Sequence, residues 1–226
     1  MKLDRFLSLR CARSRRAAHH LLAARRVAVD GAVVTDSHVE VDKFSAVAVD
    51  GAVLAHERRR YLMLHKPDGY VCATVDAGHP TVLDLIGEPW STTLHIAGRL
   101  DRSSTGLVLL TNDGKWSAAL TEPGMKVPKV YLVETAEPIR EEAIGAFARG
   151  FHFHTEDITT LPSELVILGA RWARVKLHEG RYHQIKRMFH RTGNRVVALH
   201  REQIGDISLP NDLNPGQWRE LPGAEG

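Results

Sequence analysis

Apolar and polar residues alternate along several short segments of the chain, and this alternation predicts β-strands. Between residues 171 and 177, Ala173, Val175 and Leu177 would face one side of a strand while charged side chains face the other. An apolar run over residues 107–111 predicts a buried strand that ends at an Asp-Gly turn. Further strands are predicted over residues 61–64, 130–133, 165–168 and 196–199.

Helical spacing of apolar residues predicts helices between these strands. Ser14 is placed to cap a helix that runs toward Ala24, and residues 182–192 carry apolar side chains at helical spacing before Gly193. Strands and helices without a steady βαβ alternation are typical of an α+β fold, so we expect a mixed, mostly antiparallel sheet flanked by helices. Further helices are predicted over residues 115–120 and 141–149.

One seven-residue sequence occurs twice near the N-terminus. Residues 27–33 and 47–53 share the sequence VAVDGAV, in which valines flank an Asp-Gly pair typical of β-hairpin turns. Two copies are too few for a repeat architecture, so we interpret them as two hairpins of one small α/β module. The polar segment 56–60 is then predicted to link a small domain over residues 1–55 to a larger one over residues 61–226.

Positive charge is concentrated in the first 26 residues of the chain. They contain eight Lys and Arg residues against one Asp, in a chain whose net charge is +3. A basic end on a slightly acidic remainder is typical of a module that binds a polyanion, and we expect nucleic acid. The candidates for RNA contact in this segment are Arg5, Arg15, Arg16 and Arg26.

The remaining composition narrows the class of protein. The two cysteines, Cys11 and Cys72, lack zinc-binding spacing, and none of the 13 histidines joins a set of three or four ligands, so we expect no metal. The N-terminus lacks the apolar core of a signal peptide, and no apolar run has the length of a membrane span. We therefore expect a cytoplasmic monomer that makes no membrane contact.

Residues 98–107 carry the strongest chemical signal. They place the carboxylate of Asp101 between Arg99 and a turn of hydroxyl-bearing residues, directly before the predicted strand over 107–111. An acid held beside a cation stays ionised and can act as a nucleophile or a base. An ordinary surface pair of Arg99 and Asp101 would give the same sequence, so this segment alone leaves both interpretations open.

Three more segments carry candidate chemistry. Tyr131 follows a basic loop on a predicted strand, and residues 179–189 open a helix with a cluster of basic side chains that includes Lys186. The third segment, 66–70, has the sequence KPDGY beside the first strand of the larger domain. Taken singly, Tyr131 is typical of a sheet aromatic and Lys186 of a cation on a helix surface.

Together these segments resemble the bacterial pseudouridine synthases that modify ribosomal RNA. The resemblance spans nearly the whole chain and is carried by residues 69–74, 79–85, 94–101, 179–184 and 199–202. The N-terminal part resembles the alpha-L domain, a small RNA-binding domain first described in a small-subunit ribosomal protein, through residues 3–6, 14–15 and 26–31. The resemblance implies an alpha-L RNA-binding domain followed by a pseudouridine synthase catalytic domain.

The resemblance also implies a role for each candidate residue. The reaction breaks the N1–C1′ bond of a uridine, rotates the base and rebonds it through C5, which needs no cofactor. Asp101 would attack C1′, or its carboxylate would take the C2′ proton on a glycal route. Tyr131 would stack on the base and help to remove the C5 proton, and Lys186 would pair with Asp101.

Other residues of the catalytic domain would bind the RNA around the target. Ile185 would wall the uracil pocket, although an ordinary core position explains it equally well. Arg99 would hold a phosphate or fill the space of the flipped-out base. Further RNA contacts are expected from Arg181, Arg187 and Lys129.

Within this family, the pair Tyr182-His183 is closest to members that act on the small ribosomal subunit. The resemblance then implies isomerisation of uridine 516 in 16S rRNA, within an assembly intermediate of the small subunit. Two alternatives stay open: the same chemistry on large-subunit rRNA, and a ribosome-assembly RNA-binding protein that has lost catalysis. The presence of Asp101, Tyr131 and Lys186 argues against the second alternative.

Overall fold

The computed structural model describes residues 1–11, 14–54 and 56–221. The chain divides into two compact units, Met1–Arg59 and Arg60–Gly226, and each unit has a hydrophobic core of its own. The two hairpin sequences lie in the first unit, and the segment around Asp101 lies in the second.

The first unit combines two helices with a four-stranded sheet around one core. Its sheet order is β2-β1-β3-β4, so the two copies of VAVDGAV form the two predicted hairpins. Asp30 and Asp50 have φ angles of 50° and 54°, the left-handed conformation that such two-residue turns require. The elements are α1 (Leu3–Arg10), α2 (Arg15–Ala23), β1 (Val27–Val29), β2 (Ala32–Val33), β3 (Val47–Val49) and β4 (Ala52–Val53).

Ser14 caps the start of α2, as the sequence predicts. Its hydroxyl oxygen accepts a hydrogen bond from the backbone N–H of Ala17 at 3.2 Å, which satisfies one of the free donors of the first helical turn. The apolar side of α2, formed by Ala18, Leu21 and Leu22, is buried in the core of the unit.

The second unit is built on a larger sheet with three helices. The strands and helices are β5 (Tyr61–Lys66), β6 (His95–Ala97), β7 (Thr105–Thr111), α3 (Gly114–Thr121), β8 (Lys129–Thr135), α4 (Glu142–Arg149), β9 (His152–Phe153), β10 (Ile158–Thr159), β11 (Glu164–Gly169), β12 (Trp172–Leu177), α5 (Gln184–Arg191), β13 (Val196–Ile204), β14 (Ile207–Ser208) and β15 (Trp218–Glu220). Short 3-10 turns lie at Pro89–Thr93 and Pro123–Met125.

The main sheet follows the order β11-β12-β8-β13-β7-β5-β15, and β6 and β14 pair with β7 and β13. Among the described strand pairs of this sheet, β13 and β7 are parallel and the others are antiparallel. The predicted α+β class and the mixed, mostly antiparallel sheet are therefore confirmed. Several boundaries differ from the prediction by one or two residues, and β13 differs most because it extends to Ile204. Helix α5 begins only at Gln184 because His183 has a left-handed φ of 49°.

The parallel pair of β7 and β13 depends on a glycine. Leu107, Val108, Leu109 and Leu110 of β7 are fully buried, and Gly106 lies opposite Arg201 in the register of the two strands. Gly106 has a φ of 106°, and a Cβ built on it would meet the backbone nitrogen of Arg201 at 2.6 Å. The two backbones can approach this closely because glycine has no side chain.

We expect Gly106→Ala to lower the free energy of unfolding by about 1–3 kcal/mol, because the added methyl group forces the left-handed backbone and the β13 backbone apart. Urea denaturation of the full chain measures the loss. Gly114→Ala is the matched control, since a Cβ at Gly114 meets no atom within 4 Å. Equal losses for the two variants would contradict the close-approach argument.

Candidate active site

Arg201 holds one side of the loop that carries Asp101. This loop joins β6 to β7, and the Arg201 side chain enters it from β13 with only 1% of its surface exposed. Its Nε donates to the carbonyl oxygen of Leu107 at 2.8 Å, Nη2 to that of Gly98 at 2.8 Å and Nη1 to that of Arg99 at 3.2 Å. A buried guanidinium therefore satisfies three carbonyls around the loop.

Lys66 holds the other side of the same loop. It ends β5, is fully buried, and donates from Nζ to the carbonyl oxygens of Pro67 at 3.0 Å, Arg102 at 2.9 Å and Ser104 at 2.6 Å. An ammonium group has three donors, and all three are used here. Burial lowers the pKa of Lys66 from its usual value, because removal from water disfavours the charged form.

The carboxylate of Asp101 meets a basic side chain at each oxygen. Lys186 Nζ lies 3.0 Å from Oδ2, and His183 Nε2 lies 3.3 Å from Oδ1. Lys186 also donates to the Ser103 hydroxyl at 3.2 Å. Both partners come from the start of α5, so this helix end and the loop together fix the carboxylate while about 28% of the side chain stays exposed.

Asp101 faces a cleft of about 770 Å³. A cavity of this size can admit a nucleotide. The walls come from the Asp101 loop, the start of β8, the segment before α5 and the 3-10 turn near Pro123. Among the residues that the sequence predicts for the site, those that line this cleft are Asp101, Tyr131, Lys186, Arg99, Lys129, Arg181 and Ile185.

Tyr131 forms part of the cleft wall and belongs to the hydrophobic core. It is 7% exposed, and β8 places it between Val175 of β12 and Arg201 of β13 in the sheet register. The Arg201 guanidinium carbon lies 6.0 Å from the centre of the Tyr131 ring. Lys129, two residues earlier on the same strand, has its pKa lowered by burial and then by the charge of Arg201.

Arg181 lies in the cleft within a polar network. Its Nε donates to Glu179 Oε2 at 2.9 Å, and its backbone N–H donates to Gln184 Oε1 at 3.0 Å. Gln184 Nε2 completes the network by donating to Glu179 Oε1 at 2.8 Å. These bonds brace the turn that leads from β12 into α5.

The structure does not bring Arg187 to this cleft. Its two terminal nitrogens each lie 2.7 Å from an oxygen of Glu156, and its guanidinium carbon lies 3.6 Å from the centre of the Phe153 ring. The Arg187 guanidinium lowers the pKa of Glu156 to about 2, chiefly through these hydrogen bonds. Arg187 thus ties α5 to the 153–156 segment.

The four N-terminal arginines lie in the first unit and differ in their contacts. Arg5 and Arg16 are exposed on α1 and α2, and Arg15 Nε lies 3.7 Å from a carboxylate oxygen of Asp4. Arg26 donates two hydrogen bonds to Asp50, at 2.6 Å and 2.5 Å, and so braces the second hairpin turn.

Sequence reasoning gave no role to Lys66, Arg201 or His183, although all three lay in segments that carry candidate chemistry or the family resemblance. One signal for Arg201 was present: it lies two residues after Leu199, so both face the same side of β13, and both are buried. No pattern in the sequence indicates that the buried cation would bind loop carbonyls.

Two other features are absent from the described residues. Among them, no cluster of three or more His, Cys, Asp and Glu side chains is arranged to hold a metal ion. Within the same residues, none of the helices combines the length and the apolar character needed to cross a membrane.

Comparison with known proteins gives two family matches and several full-length relatives. Residues 60–191 match the RNA pseudouridylate synthase family, and residues 1–51 match the S4 domain. The chain is similar to "Ribosomal small subunit pseudouridine synthase A" of Pseudomonas aeruginosa, at 54% identity over 100% of this chain and 98% of the relative. The Escherichia coli K12 protein of the same name is 45% identical over 98% of this chain and 96% of its own.

One solved structure gives the same result. A crystal structure described as a pseudouridylate synthase is 38% identical, covers 98% of this chain and 96% of its own, and superposes with a TM-score of 0.71. Because the family match covers more than half of the chain and the relatives align over nearly all of it, the chain belongs to the RNA pseudouridylate synthase family and carries an S4 domain at its N-terminus.

Proposed function

We propose that this protein isomerises one uridine of 16S rRNA, uridine 516 by resemblance, to pseudouridine. The observation that carries the proposal is the position of the Asp101 carboxylate. It lines a nucleotide-sized cleft, and its two oxygens contact Lys186 and His183. The small-subunit target is supported by the names of full-length relatives at 45–54% identity.

Asp101 is proposed as the group that acts on the ribose. On the ester route, a carboxylate oxygen bonds to C1′ while the N1–C1′ electron pair leaves with the uracil ring. The ring turns, C5 attacks C1′, and the carboxylate leaves again. On the glycal route the same carboxylate takes the C2′ proton while the N1–C1′ electron pair leaves with the uracil ring. After the ring turns, C5 bonds to C1′ of the glycal and the carboxyl group returns the proton to C2′. Both routes end with loss of the C5 proton and protonation of N1.

The neighbours of Asp101 are proposed to supply binding and charge. Tyr131 and Ile185 give the cleft an aromatic and an aliphatic surface against which a flipped-out uracil can lie. Lys186 places its ammonium group 3.0 Å from the carboxylate, so the charge of the acid has a fixed partner beside the position where it would meet the sugar. Arg99, Lys129 and Arg181 add positive charge for the flanking phosphates.

We propose that the N-terminal domain, residues 1–55, captures the RNA; it lies within the first unit. Its match to the S4 domain and its exposed cations support this role. Residues 56–60 would then connect it to the catalytic part over residues 61–226. We propose that the protein acts in the cytoplasm as a monomer on an assembly intermediate of the small subunit, since a basic module can bind rRNA before ribosomal proteins cover it.

We expect Asp101→Asn to abolish modification, with a fall in rate of at least about 10⁴-fold, because the amide can neither attack C1′ nor accept a proton. Pseudouridine mapping of both rRNAs is done in cells that lack the gene, complemented with wild type, Asp101→Asn or the exposed control Asp206→Asn. We expect wild type and Asp206→Asn to restore pseudouridine at one 16S site, and Asp101→Asn to leave that site unmodified.

Other mapping results would overturn parts of the proposal. A site that changes only in large-subunit rRNA would contradict the 16S target. Unchanged maps in both rRNAs would contradict the enzymatic function, and restoration by Asp101→Asn would contradict the role of the carboxylate.

We expect Lys186→Gln to lower the single-turnover rate by roughly 10²–10³-fold, because the carboxylate loses its nearest fixed charge. Lys186→Arg should recover part of the rate, since the positive charge is kept. Lys115→Gln, an exposed lysine of α3, is the control and should react like wild type. A full rate for Lys186→Gln would show that the ion pair is not needed.

Exposed arginines of the first unit provide a test of RNA capture. We expect the double variant Arg5→Gln/Arg16→Gln to bind rRNA more weakly and to reduce the slope of log affinity against log salt by about 0.7–0.9 for each phosphate that the variant no longer binds. The single-turnover rate on bound RNA should stay unchanged. Arg171→Gln in the second unit is the control; equal salt slopes for the two proteins would argue against capture by the first unit.

A further inference from the structure

Tyr182 is an aromatic residue left exposed at the opening of the Asp101 cleft. It lines the cleft, yet 75% of its surface is accessible to solvent. Its ring stacks on that of His183, with 3.9 Å between the ring centres and 17° between the planes. One face of the tyrosine ring is therefore covered by His183, and the face turned away from it is open.

His183 connects this exposed ring to the chemistry. Its Nε2 lies 3.3 Å from Asp101 Oδ1, and its backbone has φ 49° and ψ 33° directly before α5. Residues other than glycine rarely adopt this left-handed conformation, and such residues cluster at ligand-binding and catalytic sites. The backbone at His183 thus turns the two rings toward the opening of the cleft while one ring still reaches the carboxylate.

A second cavity of about 320 Å³ meets the first one at the same place. His183 and Lys186 line both cavities. The second cavity is lined on its other sides by residues that include His154, His190 and two arginines, Arg187 and Arg191. In the described contacts, the acid paired with these two arginines is Glu156, which is bound to Arg187. Such a basic groove suits the phosphate backbone of a strand that leaves the cleft.

We propose that Tyr182, backed by His183, forms a stacking surface for an unpaired nucleobase next to the flipped-out uridine. This inference rests on the proposed function, because it needs an RNA whose uridine reaches Asp101. Extrusion of one nucleotide leaves its neighbour without a stacking partner on one face. An open aromatic ring replaces that partner for any base, since every base has a π face. Tyr182 touches the RNA, and His183 acts as a positioning residue.

A double-mutant cycle between protein and RNA tests the stacking directly. The RNA is a synthetic 16S fragment around the mapped uridine, either intact or with an abasic nucleotide on its 5′ or 3′ side. We expect Tyr182→Ala to bind the intact fragment at least about fivefold more weakly, and Tyr182→Phe to bind it like wild type. Wild type should bind one of the two abasic fragments as weakly as Tyr182→Ala binds the intact fragment. Tyr182→Ala should bind that abasic fragment no more weakly than it binds the intact one.

Two further variants separate stacking from general effects. Trp172→Ala removes another exposed aromatic of the same unit, away from both cavities, and should bind every fragment like wild type. His183→Phe keeps a ring behind Tyr182 and removes the imidazole that meets Asp101. It should keep the affinity for the intact fragment and lower the single-turnover rate, a split that a merely structural role would not produce.

The outcomes distinguish this inference from the function on which it rests. Suppose that wild type forms pseudouridine in the intact fragment, but the loss of affinity from Tyr182→Ala multiplies with the loss from either abasic nucleotide. The stacking surface is then refuted and the proposed function stands. If wild type forms no pseudouridine in either the fragment or cellular 16S rRNA, both proposals fall.

Discussion

The site depends on two buried cations that bind backbone carbonyls rather than acidic side chains. Arg201 and Lys66 each donate three hydrogen bonds to carbonyl oxygens in or beside the loop from Gly98 to Ser104. Burial of a charge is costly unless its donors are satisfied, and irregular backbone is costly inside a protein for the same reason. Here the two cations satisfy the loop carbonyls and the carbonyls satisfy the cations. These hydrogen bonds hold the loop in one conformation, and Asp101 is held with it.

This arrangement leaves the negative charge of Asp101 available at the cleft. Because Arg201 and Lys66 bind carbonyls, the side chains that meet the carboxylate come from elsewhere, namely Lys186 and His183 at the start of α5. The loop sets the position of the acid, and the helix sets its electrostatic surroundings. A site divided in this way holds its charges in place before a substrate arrives, which is how electrostatic preorganisation lowers a reaction barrier.

The elements that follow from local physics were predictable from the sequence. The Asp-Gly hairpins, the Ser14 cap and the alternating strand near Val175 depend on neighbouring residues, and the structure confirms them. The positions of Lys66 and Arg201 depend on segments that lie 36 and 103 residues away along the chain, which no local pattern encodes. The left-handed backbone of His183 likewise has no signal in the local sequence pattern. The catalytic roles of Asp101, Tyr131 and Lys186 remain predictions.

The parallel pairing of β7 with β13 also bears on how the protein is made. Arg201 closes contacts with Gly98 and Leu107 across 103 and 94 residues of chain, and such long-range contacts form late because the entropy of loop closure must first be overcome. During synthesis the Asp101 loop emerges long before the strand that fixes it. A nascent chain therefore contains Asp101 before it contains Arg201, whose hydrogen bonds hold the Asp101 loop. The ordered site forms only after β13 has been translated.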